Sequence, residues 1–269
     1  MSTNAAEQIC ERLQAFRTNR TRVSHDVEGY ATSGVSVCSF AWSPHEALSV
    51  PLRNLNWTPR WSPEDEAVIL AALKDVLEDP LVPKVGQNWM YELFVWRWHY
   101  GIQVRGIVDD TMLKFHVMYA ELDKALDVIA SLYSREPYWK DMGDTKDDAQ
   151  LARYNSLDSM VTLEVNDAMD AEMTDAQRRY YTHQLALLEP CLEMSFCGLR
   201  YDSEKRDAMV AALEREVHGL QGELDSLAGI PLPSFAEVRE AVAFKKAWAK
   251  CATWDSLLEH AKPTMRETL

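Results

Sequence analysis

Apolar and polar positions alternate along this chain with two different periods. Residues 5–18 carry apolar side chains at helical spacing and predict a short amphipathic helix. Three runs of strand period follow, "RVSHDVE", "VSVCSFAWS" and "LSVPL", separated by the short turns "GYATSG" and "PHEA", which predicts an antiparallel meander. "WSPEDEAVILAALKDVLED" returns to helical period, with Ser62 as N-cap, Pro63 at the first helical position and acids in the first turn. "VPKVGQN" predicts a short strand, "WMYELFVWRWHYG" an apolar helix closed by Gly101, "IVDDTML" a strand entering a helix, and "ELDKALDVIASLY" another helix. The polar run from Arg135 to Asn155 predicts a partly looped segment, and the helix after it, from Tyr154, should place Leu157, Val161, Val165 and Ala168 on one face. An antiparallel start followed by strand–helix crossovers predicts an α/β layer on a mixed sheet.

The pattern changes near residue 180. Leu213, Val217, Leu220, Leu224 and Leu227 alternate spacings of four and three, a heptad seam ended by Gly229. A stripe this narrow predicts a long helix packed on one other helix. The segment 231–269 should be helical in pieces.

Composition narrows the chemistry. Apolar residues make up 47% of the 269, nine of them Trp, enough for a packed core. The net charge of −14 argues against a protein that grips duplex DNA chiefly through its phosphates, and suits a site that holds divalent cations. Five cysteines without a CxxC pair, and seven histidines without HExxH, point to reduced thiols in a cytoplasmic setting and away from zinc. No apolar run reaches the roughly eighteen residues of a membrane span, and Glu7 and Glu11 speak against a transit peptide.

The carboxylates carry the candidate chemistry. In Asp26-Val27-Glu28 the two acids share one face of a strand, because side chains alternate. Tyr154 and Asp158 share one face of a helix, and so do Asn88 and Glu92 at the start of another. Each piece alone also fits an ordinary solvated turn or buried helix. Together they offer acids from three separate elements. Such a set can hold two hard cations roughly 3.5–4 Å apart for phosphoryl chemistry.

In order and flanks this set resembles the 3′–5′ proofreading exonuclease domain of family A (polymerase I-type) DNA polymerases. The DxE motif corresponds to Asp26-Val27-Glu28, the second motif to "QNWMYE", the "DTM" to Asp110-Thr111-Met112, a lysine-aspartate segment to "PYWKD", and YxxxD to Tyr154 through Asp158. "LEPCLEMSFCGLRYDSEK" is similar to the opening of the family's helical thumb, so the likeness spans residues 22–235. The resemblance implies an RNase H-like mixed-sheet exonuclease domain over residues 1–180 and an α-helical thumb-like extension over 181–269. It implies Asp26, Glu28, Glu92 and Asp158 as ligands of two Mg²⁺ or Mn²⁺ ions, Tyr154 as the residue that positions water, and Asn88, Gln87 and Lys140 as contacts to a single-stranded DNA 3′ end. The expected product is a nucleoside 5′-monophosphate.

Three positions depart from the pattern. Glu92 stands where the family has Asp, Gly29 where many members have Thr, and Thr32 where an apolar wedge residue is usual. The palm and fingers motifs of the polymerase half do not occur in these residues, so the resemblance implies either a fragment or a split polymerase with a separate polymerase subunit as partner. An inactive scaffold is the alternative. Trp89, Trp96, Trp98 and Trp139 read as core, with base stacking as the other use. His25 should point away from Asp26.

Overall fold

In the computed structural model, which describes residues 3–30, 32–145 and 147–229, the chain forms an α/β layer on a mixed five-stranded sheet followed by a long helix. Strands β1 (Val23–Tyr30), β2 (Gly34–Ser43) and β3 (Glu46–Pro51) make the expected meander; β4 (Lys84–Gly86) and β5 (Ile107–Asp110) join it in parallel, giving the order β3-β2-β1-β4-β5. Helices α1 (Thr3–Asn19), α2 (Pro63–Glu78) and α3 (Trp89–Tyr100) form a core with the sheet through Leu13, Phe16, Phe40, Ile69, Leu73 and Trp96. Helices α4 (Thr111–Met118), α5 (Leu126–Tyr133) and α6 (Asp148–Glu172) share a second cluster centred on Phe115, Ile129, Val161 and Val165.

Local signals explain the starts of two helices. Ser62 accepts from Asp65 N at 3.1 Å and caps α2, as the sequence predicts. Asp110 accepts from Met112 N and Leu113 N at the start of α4, and from Asn88 N and Trp89 N at the start of α3. One buried carboxylate therefore ties two helix N-termini together, where partial positive charge favours it.

Helix α6 lies on the sheet along a seam of small polar residues. Ser39 Oγ donates to Asn155 O at 2.8 Å and lies 2.7 Å from Ser159 Oγ, and Ser24 Oγ donates to Ser159 O. Small hydroxyl side chains let helix backbone come close to strand backbone while these three hydroxyls keep partners. This seam fixes α6 above the face of β1 that carries Asp26 and Glu28.

Strand β1 continues to Tyr30, two residues past the predicted strand, and carries a bulge between Glu28 and Gly29. A Cβ on Gly29 would lie 2.1 Å from Gly34 O, so no side chain fits there. That contact accounts for Gly in place of the family's Thr.

Some expectations need correction. Helix α6 begins at Asp148, six residues before Tyr154, because Asp147 caps it by accepting from Ala149 N at 2.9 Å. Met169 is buried and Ala168 is only partly covered. Helix α5 starts at Leu126 and leaves 121–125 outside it. The expected division at residue 180 falls inside α7 (Asp175–Ala186); the first compact unit runs through α8 (Leu188–Cys197) to Gly198, since Tyr181, Leu188 and Leu192 are buried in it.

The second unit begins at Leu199, and its described part is α9 (Ser203–Ala228), closed by Gly229 in the left-handed conformation. The heptad seam is present, yet Leu213, Val217, Leu220, Leu224 and Leu227 are all at least 51% exposed, so no helix among the described residues packs over them. The helical pieces expected in 231–269 lie outside the described residues. Among the described residues no helix is long and apolar enough to cross a membrane.

Candidate active site and metal centre

Three of the four predicted acids meet. Asp26 and Glu28 on β1 and Asp158 on α6 each offer an oxygen, and these lie within 4.8 Å of one another. Strand period two aims the first pair at α6, and the serine seam brings Asp158 down to them. Glu92, one turn into α3, is buried but stands outside that group.

The electrostatics follow from burial and like charge. Burial raises the Asp26 carboxyl well above the usual range, and Asp158, Glu28 and Glu92 push it further up. Glu28 is raised to about 7, chiefly by burial and next by Asp158. Burial also raises Glu92 and Asp158; for Asp158 the Lys140 ammonium works in the opposite direction. The Tyr154 phenol is raised by burial and by the charge of Asp158, which keeps it protonated.

The remaining predicted residues fall into two groups. Lys140, at the start of a short 3₁₀ turn (Lys140–Gly143), donates to Asp158 Oδ1 at 2.7 Å and to Tyr154 OH at 3.2 Å, so it is not a solvated lysine. Asn88 is exposed in the left-handed conformation, φ 63°, with no side-chain cap bond. Gln87 is occupied at both ends of its amide: Nε2 donates to Lys124 O at 2.8 Å and Oε1 accepts from Thr111 Oγ1.

Two residues at the site escaped the sequence reading. Trp139 Nε1 donates to Asp158 Oδ1 at 2.6 Å, and Asn155 Nδ2 donates to Asp26 Oδ2 at 2.5 Å. Trp139 is buried, as expected of core, but its indole N–H serves a site carboxylate. Asn155 lies inside the YxxxD motif, next to Tyr154, and its i, i+3 relation to Asp158 was the available signal. Of the other tryptophans, Trp89 and Trp96 are core and Trp98 is 62% exposed. His25 points away from Asp26, with Nδ1 on Ser39 O at 2.9 Å and Nε2 accepting from Trp96 Nε1 at 2.9 Å.

The donor set fits hard divalent cations. It consists of carboxylate oxygens from separate elements, the class Mg²⁺ and Mn²⁺ prefer. Lys140 is the one ammonium hydrogen-bonded to the three-acid group among the described residues. Glu92 Oε2 is buried without a hydrogen-bond partner, as is Asn155 Oδ1. Unpartnered buried oxygens beside mutually repelling carboxylates call for positive charge.

Known proteins share this framework. The POL domain of Pol1 from M. smegmatis, in complex with DNA primer-template and dNTP, superimposes with a TM-score of 0.58 at 18% identity over 82% of this chain and 37% of that one. The catalytic core of RRP6 from Trypanosoma brucei gives 0.52 at 12% identity, over 68% and 49% of the two chains. Brucella melitensis NrnC gives 0.50 at 15% identity, over 66% and 86%. At these identities the likeness is one of fold, and this chain spans little more than a third of the Pol1 chain. Residues 2–174, from α1 to the end of α6, match the family described as 3′–5′ exonuclease, the exonuclease family of A-type DNA polymerases, and the chain belongs to that family.

Proposed function

We propose that the chain is a metal-dependent 3′–5′ exodeoxyribonuclease that hydrolyses the 3′-terminal phosphodiester of single-stranded DNA and releases a nucleoside 5′-monophosphate. The gathering of Asp26, Glu28 and Asp158 within 4.8 Å carries this reading. In it, those three acids together with Glu92 would hold two Mg²⁺ or Mn²⁺ ions. Bound there, the ions supply Lewis-acid stabilisation for charge that builds on the phosphate oxygens.

The chain's own residues supply position. Trp139 and Asn155 fix the orientation of Asp158 and Asp26 by hydrogen bonds. Tyr154, held protonated, orients the attacking water, and Lys140 turns from Asp158 towards the phosphate. Exposed Asn88 contacts the terminal nucleotide. Well-placed groups of this kind lower the barrier through orientation and fixed charge.

The place of Glu92 outside the three-acid group favours one second reading, a scaffold of low activity. The two readings separate in a single assay. A 3′-labelled single strand is expected to be degraded with Mg²⁺ or Mn²⁺ and left intact with EDTA, and Asp158→Ala is expected to abolish the loss of label. Equal behaviour of wild type and Asp158→Ala would leave only the scaffold.

The biological role proposed is proofreading within a split family A polymerase. The exposed apolar seam of α9 supports a separate polymerase chain as partner, seated on the region after residue 190. Purification of the full chain from its source without any polymerase chain attached counts against this part.

A further inference from the structure

A cleft of about 260 Å³ opens beside Glu28. Its walls come from the end of β1 (Gly29, Tyr30), from the loop after β3 (Asn54, Trp57) and from the turn before α6 (Gly143, Thr145). Two features set it apart from an ordinary surface hollow. The first is its charge. Its described acidic lining is Glu28 and Asp144, with no lysine or arginine, so it does not suit a phosphate. The second is an aromatic pair. The rings of Tyr30 and Trp57 lie 5.5 Å apart, and Tyr30 is 63% exposed.

Trp57 is held there at a cost. Its φ of 63° is in the left-handed region, where a bulky residue is an outlier. The loop enforces the conformation. Trp57 N donates to Asn54 O at 2.8 Å, Asn54 Nδ2 donates to Thr58 Oγ1 at 2.9 Å, and Leu55 N donates to Asp148 Oδ1 at 2.8 Å at the start of α6. Backbone strain kept in a loop that is pinned to the helix bearing Asp158 marks a side chain whose position matters.

We infer that Tyr30 and Trp57 form a stacking wall for a nucleobase of the single-stranded 3′ end, in the nucleoside-sized cleft that adjoins the Glu28 carboxylate. A neutral aromatic surface in an acidic cleft accepts the uncharged base and leaves the phosphates outside it. Stacking of this kind is tolerant of sequence, since every base has a π-face. The residues would thus set the register of the 3′ end without selecting its sequence. This rests on the nuclease reading above.

The test is equilibrium binding of a short oligodeoxythymidylate with 2-aminopurine at its 3′ end, to the full chain in Ca²⁺. The companion probe has the same length and an abasic 3′ nucleoside. Wild type is expected to quench 2-aminopurine and to bind the base-bearing probe more tightly than the abasic one. Trp57→Gly, which relieves the positive φ while removing the ring, and Tyr30→Ala are each expected to weaken binding of the base-bearing probe about tenfold. Neither should change binding of the abasic probe, and Trp57→Phe should stay within about threefold of wild type. Wild type that binds while both variants bind the base-bearing probe equally well overturns the inference alone. So does an equal loss on both probes. Wild type that binds neither probe overturns the nuclease reading and this inference with it.

Discussion

Asp26→Asn is expected to lower the rate of 3′-end hydrolysis by about 10³-fold, at the upper end of what one preorganised electrostatic group contributes, and at the same time to stabilise the metal-free protein. The two effects have one cause. Asp26 sits among Glu28, Asp158 and Glu92, which push its carboxyl up on top of the effect of burial. Without cations this crowding opposes folding. The substitution removes one negative charge and keeps an oxygen that can accept from Asn155 Nδ2. The thermal midpoint in EDTA should rise by about 2–4 °C, the shift that about 1 kcal/mol gives in a protein of this size. Added Mn²⁺ should raise the midpoint of wild type and leave the variant nearly unmoved.

The sign of the pH dependence follows from the same raised carboxyls. Glu28 moves from an ordinary 4.5 to about 7 in the folded chain. Between those values the folded state holds a proton that the unfolded state has released, so metal-free stability falls as pH rises through that window. Wild type in EDTA should therefore be more stable at pH 5 than at pH 8, and Asp26→Asn should show a flatter profile. A variant less stable than wild type in EDTA would mean that the acids do not repel one another, and that the site is not built for cations.

The second large effect is structural. Lys84→Met is expected to cost about 2–4 kcal/mol of unfolding free energy, read as a lower urea midpoint at an unchanged slope. Lys84 is fully buried in the three-residue β4. Its Nζ donates to Asp79 O at 2.9 Å, Val82 O at 2.9 Å and Arg105 O at 2.8 Å. Burial draws the ammonium down to about 8, so at neutral pH it is still charged and uses all three donors. Methionine matches the stem in shape and supplies none of them. It leaves carbonyls of two loops without that donor, and most of the loss comes from those groups. Since β4 leads directly into Asn88 and the helix that carries Glu92, partial loosening should reduce activity before the protein unfolds. A loss below about 1 kcal/mol would show that water replaces the ammonium at little expense.

What could be read from the residues beforehand depended on period. Asp26 and Glu28 were legible because a strand alternates faces, and Tyr154 with Asp158 because a helix repeats over four residues. The order of strands along the chain, the Ser62 cap and the Gly101 stop were legible from local chemistry that tertiary packing did not override. Other features were hidden for identifiable reasons. The segment Asp148–Arg153 looked like loop because its side chains are polar, yet acids at a helix N-terminus complement the dipole, and α6 starts there. Lys84 gave no sign of burial, since its acceptors are backbone carbonyls, one of them 21 residues away at Arg105, and no side-chain pattern marks them. Trp139 was assigned to packing by size, and nothing local announces that its N–H meets Asp158 across 19 residues. No motif encodes the place of Glu92 outside the three-acid group.

The bulge after Glu28 bears on how sequences of this family can be recombined. Position 29 is glycine because the backbone carbonyl of residue 34 occupies the space a side chain would need, so a side chain at 29 requires the backbone at 34 to move. Restoring the family's threonine at 29 by itself would pry open the hairpin that orients Glu28. Chimeras with other exonuclease domains should therefore exchange residues 29–35 as one block, and libraries that randomise position 29 alone would sample mostly misfolded clones.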